Sequence, residues 1–122
     1  MKTKSALRAF LLGCSSMLAA SSIQAATFYW DATPGTPDGS SQGGAGTWNT
    51  TTGNWDDGAA YQIWNNGNND TAVLGGAAGA VALGTGISVG GLRFDTNGYA
   101  ISSDTAGLSF GAANNTILLA GN

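Results

Sequence analysis

From Thr27 onward, glycine and asparagine interrupt the chain so often that no candidate strand exceeds five residues. That punctuation excludes most architectures before composition is considered. A surface helix needs apolar residues at i, i+3, i+4 and i+7 with helix-favouring residues between them, and no twelve-residue window in this portion offers the pattern. The runs that do recur are β-branched or aromatic and are bounded by Gly, Asn or Asp. They place expected strands at residues 27–31, 60–64, 71–74, 80–83, 87–89, 92–95, 99–102, 108–110 and 116–120. Turn signals separate them at Asn66-Gly67, Gly75-Gly76, Gly90-Gly91, Asn97-Gly98 and Asn114-Asn115. Asn and Gly suit such positions because they enter the φ > 0 region at low steric cost. The expected fold class is all-β.

Residues 1–25 are different in kind. Lys2, Lys4 and Arg8 precede an apolar stretch from Ala9 to Ala20, and Ser21, Ser22 and Gln24 lead on to Ala25 and Ala26. This is the three-part layout of a secretory signal peptide, with Ile23 and Ala25 at the −3 and −1 positions of a cut between Ala25 and Ala26. The stretch is too short to span a bilayer, which takes about 20 apolar residues. Leu11-Leu12-Gly13-Cys14 looks like a lipobox, but a cut there would leave an apolar region shorter than the usual one of about 7–15 residues. A secreted or cell-surface product with no membrane span after leader removal is expected.

Beyond the leader the chemistry is narrow. Residues 26–122 carry one base, Arg93, against seven aspartates, a net of −6, and contain no Glu, Lys, His, Cys or Met. Without His or Cys there is no ordinary nucleophilic triad, no His/Cys zinc site and no disulfide framework. One arginine makes no basic patch, so nucleic acid is not an expected partner. No cofactor is expected. Stability must come from packing and backbone pairing.

Composition shifts near Asp70. Residues 26–70 hold all four tryptophans, Trp30, Trp48, Trp55 and Trp64, together with a Pro/Gly/Ser stretch over 33–46 that reads as an exposed loop. Residues 71–122 have no tryptophan and are rich in Gly, Ala, Val, Leu and Ile. They also repeat. Gly91-Leu92-Arg93-Phe94 recurs sixteen residues on as Gly107-Leu108-Ser109-Phe110, and the same offset carries Ile101 onto Ile117. Val73, Val81 and Val89 lie eight apart. Short strands stacked in register at these offsets are expected, since such units need neighbours to bury a face.

The run Val89-Gly90-Gly91-Leu92-Arg93-Phe94, continued through Gly98-Tyr99-Ala100-Ile101, resembles the V-x-G-L-x-F-x-x-x-G-Y-x-I pattern of the bacterial autotransporter-associated β-strand repeat proteins. The order Trp30-Asp31, Thr47-Trp48-Asn49, Asn54-Trp55 and Trp64-Asn65 is similar to the Trp-rich start common in such exported chains. The resemblance covers most of residues 28–120. It implies a right-handed parallel β-helix, or solenoid, opening behind a Trp-rich capping segment, with a structural or adhesive surface role. It implies no enzymatic activity and carries no catalytic residues. Such proteins are usually much longer and end in a membrane barrel, so the 122 residues are expected to be a fragment.

Several residues invite sharper readings. Trp48, Trp55 and Trp64 could stack on sugar rings if exposed, and a small β-sandwich carbohydrate-binding module is the alternative expectation. The preferred reading has the indoles packed over the first coil, because few other bulky groups are present to do so. Asp56-Asp57, as neighbours on a loop, do not form the carboxylate pair about 5–10 Å apart across a cleft that a glycosidase needs. Residues 65–70 place oxygen ligands around Gly67, as a Ca²⁺ loop would, but with one formal charge and no bidentate Glu. Gly84-Thr85-Gly86 with Gly90 lacks the Gly-Lys-Ser/Thr ending of a phosphate loop and reads as turn chemistry. The partner is expected to be a surface or glycan ligand of unknown identity.

Overall fold

The structure is a computed structural model that describes residues 24–111 and 116–119, so most of the expected leader lies outside the described residues. The regular structure among them is entirely strand: β1 (Thr27–Trp30), β2 (Gly46–Trp48), β3 (Gly53–Asp56), β4 (Tyr61–Ile63), β5 (Thr71–Leu74), β6 (Ala80–Leu83), β7 (Ile87–Val89), β8 (Gly91–Phe94), β9 (Ala100–Ser102), β10 (Leu108–Phe110) and β11 (Thr116–Leu119). The all-β expectation holds. Among the described residues no helix is long and apolar enough to cross a membrane.

The strands form three sheets. A six-stranded sheet has the order β11-β8-β5-β1-β3-β4, a three-stranded sheet the order β2-β6-β9, and β10 pairs with β7. Consecutive strands β5, β6 and β7 each join a different sheet, and β8, β9 and β10 then repeat that circuit beside them. The pairings are parallel: Thr71 lies on Gly91, Ala80 on Ala100, and Ile87 on Leu108. Antiparallel pairing is confined to β1/β3 and β3/β4. A two-sheet antiparallel sandwich is therefore not what forms.

These registers correct the expected offset. Stacked residues lie twenty apart in β5/β8 and β6/β9, and twenty-one apart in β7/β10. The sixteen-residue recurrence of Gly-Leu-x-Phe connects β8 to β10, which belong to different sheets of the same circuit. The eight-residue valine spacing does the same, placing one valine on each of β5, β6 and β7. Both spacings measure strand plus turn, not the distance from one layer to the next.

The core follows from alternation. Val81 and Leu83 of β6 are buried while Ala80 and Ala82 face out, and Ile87 and Val89 of β7 enclose an outward Ser88. In the large sheet Phe28, Ala72, Leu92 and Ile117 form one row, and Leu74, Phe94 and Leu119 another. On the opposite face Val73 is buried between Tyr29 and Arg93, its neighbours in register. Arg93 also pairs with Asp95 at 2.8 Å, a partly exposed ion pair worth less than about 1 kcal/mol.

The stretch 33–46 is not simply an exposed loop. Its Pro/Gly part faces solvent, but Gly43 is buried and bridges Asp31 on one side and Ala77 on the other. The Gly43 amide donates to the Trp30 carbonyl and its carbonyl accepts the Ala32 amide, both at 3.0 Å. The loop thus returns to the end of β1.

Candidate functional site

The four tryptophans form one buried cluster. Trp30 ends β1, Trp48 ends β2, Trp55 lies in β3 and Trp64 follows β4, so four short strands each deliver one indole to the same interior. Trp55 sits at the centre, with ring centroids 5.1 Å from Trp30, 4.6 Å from Trp48 and 4.9 Å from Trp64, all tilted. Tilted and edge-to-face contacts are the favoured geometries for aromatic pairs. Trp30 Nε1 donates to the Gly44 carbonyl and Trp64 Nε1 to the Ser88 carbonyl. Trp48 and Trp55 Nε1 are buried without a hydrogen-bond partner among the described residues.

This corrects the sugar-stacking expectation for Trp48, Trp55 and Trp64. They are 0, 0 and 1 % exposed, so none offers a face to a sugar ring. Indole is the largest apolar group available in this Gly/Ala-rich chain, and burying it outweighs leaving it wet. An open depression of about 400 Å³ lies beside Trp64, lined also by Thr50, Ile63, Asn65 and Asn66. Ile63 is the exposed apolar residue there.

The aspartates brace loops. Asp56 is fully buried at the end of β3. Its Oδ2 accepts the amides of Asp38 and Gly39, each at 2.8 Å, and its Oδ1 accepts the Gly58 amide at 2.6 Å. Burial pushes its pKa up, but the Asp38, Gly58 and Gly39 amides together more than offset that and hold it below the ordinary carboxylate value. Asp57 points elsewhere, accepting the amides of Ala60 and Ala59 and the Gln62 side chain, which lower its pKa. The two neighbours therefore share no cleft.

Asp31, also buried, accepts the Gln42 amide and, at 2.6 Å, the Tyr61 hydroxyl. That bond to Asp31 is the main reason the Tyr61 pKa is raised. Asp38 is saturated by Ser40 and Gln42. Each of these carboxylates accepts hydrogen bonds from backbone amides or side chains of the protein itself. The Asp31–Tyr61 bond, 30 residues apart in sequence, had no local signal by which it could be read.

Two expected outcomes follow from Asp56. Asp56→Asn keeps the shape but removes a charged acceptor from three amides, and should lower stability by about 2 kcal/mol in urea titrations. For the parent chain, a lowered folded pKa means that the stabilisation is complete above the unfolded value of about 3.9 and is lost as pH falls through the folded value. Urea midpoints should hold level down to roughly pH 5 and decline below about pH 4, with a shallower decline in Asp56→Asn.

The 65–70 segment is committed to the protein itself. Asn65 Oδ1 accepts the Gly67 amide, Asn66 Oδ1 accepts the Ser88 amide while its Nδ2 donates to the Gly86 carbonyl, and Asp70 Oδ1 accepts the Ala26 amide. Asn66 imitates a strand partner for β7. No group of three or more His, Cys, Asp or Glu side chains suited to a metal is found among the described residues. Gly84-Thr85-Gly86 forms the turn between β6 and β7, and the strand that follows it is incompatible with a phosphate loop, which opens a helix.

A known protein resembles the chain in sequence. The chain is 42 % identical, over 115 residues and 90 % of its length, to the adhesin BmaC autotransporter of Brucella suis biovar 1. It spans 3 % of that protein. A match over 90 % of the chain takes in all four tryptophans. No protein-family model matches the chain, and no solved structure matches it.

Proposed function

We propose that this chain is an exported, non-enzymatic passenger segment of an autotransporter-type adhesin, built as the first turns of a right-handed parallel β-solenoid at the cell surface. The relationship to an adhesin is the observation that carries the surface role. The solenoid reading is supported by three sheets visited in turn, with parallel pairing at offsets of twenty to twenty-one residues between β5, β6 and β7 and their successors β8, β9 and β10. Residues 1–25 act as the leader, 26–70 as the capping segment and 71–122 as the stacked layers. In this reading the tryptophan cluster closes the interior of the first layer against water, and the antiparallel β3 and β4 extend the large sheet past it. The non-enzymatic reading is supported by Asp31, Asp38, Asp56 and Asp57, whose carboxylates accept backbone amides and neighbouring side chains.

The adhesive reading is tested by displaying residues 26–122 on a non-adherent bacterium and counting cells retained on host-cell monolayers and on abiotic surfaces. Retention several-fold above cells that display an unrelated β-rich passenger is expected. Equal retention would remove the adhesive role for this segment. The partner is a surface ligand of unknown identity, and the exposed Thr, Asn and Ser of the turns supply its contact chemistry.

A further inference from the structure

Asp70 differs from the other buried aspartates. Its side chain is 1 % exposed, yet only Oδ1 has a partner, the Ala26 amide at 2.8 Å, while Oδ2 is buried without one among the described residues. Asp70 also joins three strands at their starts. The amide of the next residue, Thr71, donates to the Ala26 carbonyl at 2.8 Å, and the Asp70 carbonyl accepts the Gly90 amide at 2.8 Å. β1, β5 and β8 are therefore tied together at this point. A buried carboxylate holding a single neutral donor is poorly compensated.

The donor is the residue at which the leader is expected to be cut. Gln24, Ala25 and Ala26 are exposed, so the Ala25–Ala26 bond is open to a peptidase. Water added across that amide leaves a carboxylate on Ala25 and an amine on Ala26, which takes up a proton at neutral pH. We propose that leader removal converts the Ala26–Asp70 hydrogen bond into a partly buried ion pair, in which the new α-ammonium serves both oxygens of Asp70 and fastens β1 to β5. An amide brings one N–H and no charge to this site; an ammonium brings three N–H donors and a full positive charge. Processing then completes the fold, and the uncut chain holds its first strand less firmly. This rests on the cut between Ala25 and Ala26.

The sequence makes the test clean, because residues 26–122 contain no lysine and the α-amine is their sole primary amine. The chain is expressed with its leader and recovered after export, and intact mass gives its first residue. A start other than Ala26 overturns the proposal while leaving the exported-adhesin reading intact. With a start at Ala26, an amine-reactive ester should label the native protein about tenfold more slowly than the same protein in concentrated urea, as a rise of about one unit in amine pKa requires. Asp70→Asn should restore fast labelling. Equal rates in the native and unfolded chains overturn the ion pair.

A second arm does not depend on that variant folding. Acetylating the α-amine of the unfolded protein and refolding it restores an amide at Ala26. The unfolding equilibrium constant should rise about tenfold in urea titrations. An acetylated chain as stable as the free one overturns the proposal.

Discussion

Trp55→Ala should cost about 4 kcal/mol, a large part of the stability of a domain this size. Trp55 is fully buried and is the one indole in ring contact with the other three. Truncating it opens a cavity in the middle of the cluster, and the surrounding rings are held by separate short strands that cannot close in together. Urea unfolding followed by far-UV circular dichroism measures this without relying on indole fluorescence. Trp55→Phe should cost much less, about 1–2 kcal/mol. It keeps a ring against Trp48 and removes an N–H that has no partner among the described residues. A loss below about 1 kcal/mol for Trp55→Ala would mean that the cluster is looser than its centroid distances of 4.6 to 5.1 Å imply.

Gly43→Ala should destabilise by about 3 kcal/mol or more, although it adds one methyl group. Gly43 has φ of 79°, a conformation that L side chains rarely adopt. The added Cβ would also fall on the carbonyl oxygens of Gly75 and Ala77 and on the Tyr99 hydroxyl. The same residue bridges Asp31, just after β1, and Ala77, between β5 and β6. Gly58→Ala separates the two causes. Gly58 has φ of 91°, but its Cβ would meet nothing closer than the Gly39 Cα at 3.6 Å, so it should cost only the backbone strain, about 1 kcal/mol. Similar losses for the two variants in urea titrations would show that the close approach at Gly43 carries little energy.

The strands from β5 to β10 were legible in the sequence because each is a run of β-branched or large apolar residues between glycines. The expected bounds at 71–74, 80–83, 87–89 and 108–110 coincide with β5, β6, β7 and β10. β2 and β3 were not legible. Gly46-Thr47-Trp48 and Gly53-Asn54-Trp55-Asp56 lack a run of β-branched residues, and they are held extended by burial of their tryptophans and pairing with β6, β1 and β4. The layer offset was misread for a related reason. Gly-Leu-x-Phe recurs on β8 and β10, two strands apart in one circuit, whereas the offset depends on the sum of strand and turn lengths around a whole circuit.

The tryptophans show where sequence stops informing. Composition alone allows an indole to line a sugar site or to fill a core, and the choice depends on which residues the chain brings beside it. The aspartates behave similarly. Asp57 and Asp38 bind amides two or three residues away, which Asx-turn chemistry foretells. Asp31 and Asp70 reach partners 30 and 44 residues away, and only the fold reveals those.

The placement of Arg93 bears on survival outside the cell. A protease that cuts after lysine or arginine has a single bond to attack in residues 26–122, the one between Arg93 and Phe94. That bond lies within β8, hydrogen-bonded to β5 on one side and β11 on the other. Digestion there requires β8 to be lifted from the middle of its sheet before the chain can enter an active-site groove in extended form. Trypsin-like enzymes would therefore cut at the rate of local opening, and an exposed loop, however mobile, would give them nothing to cleave.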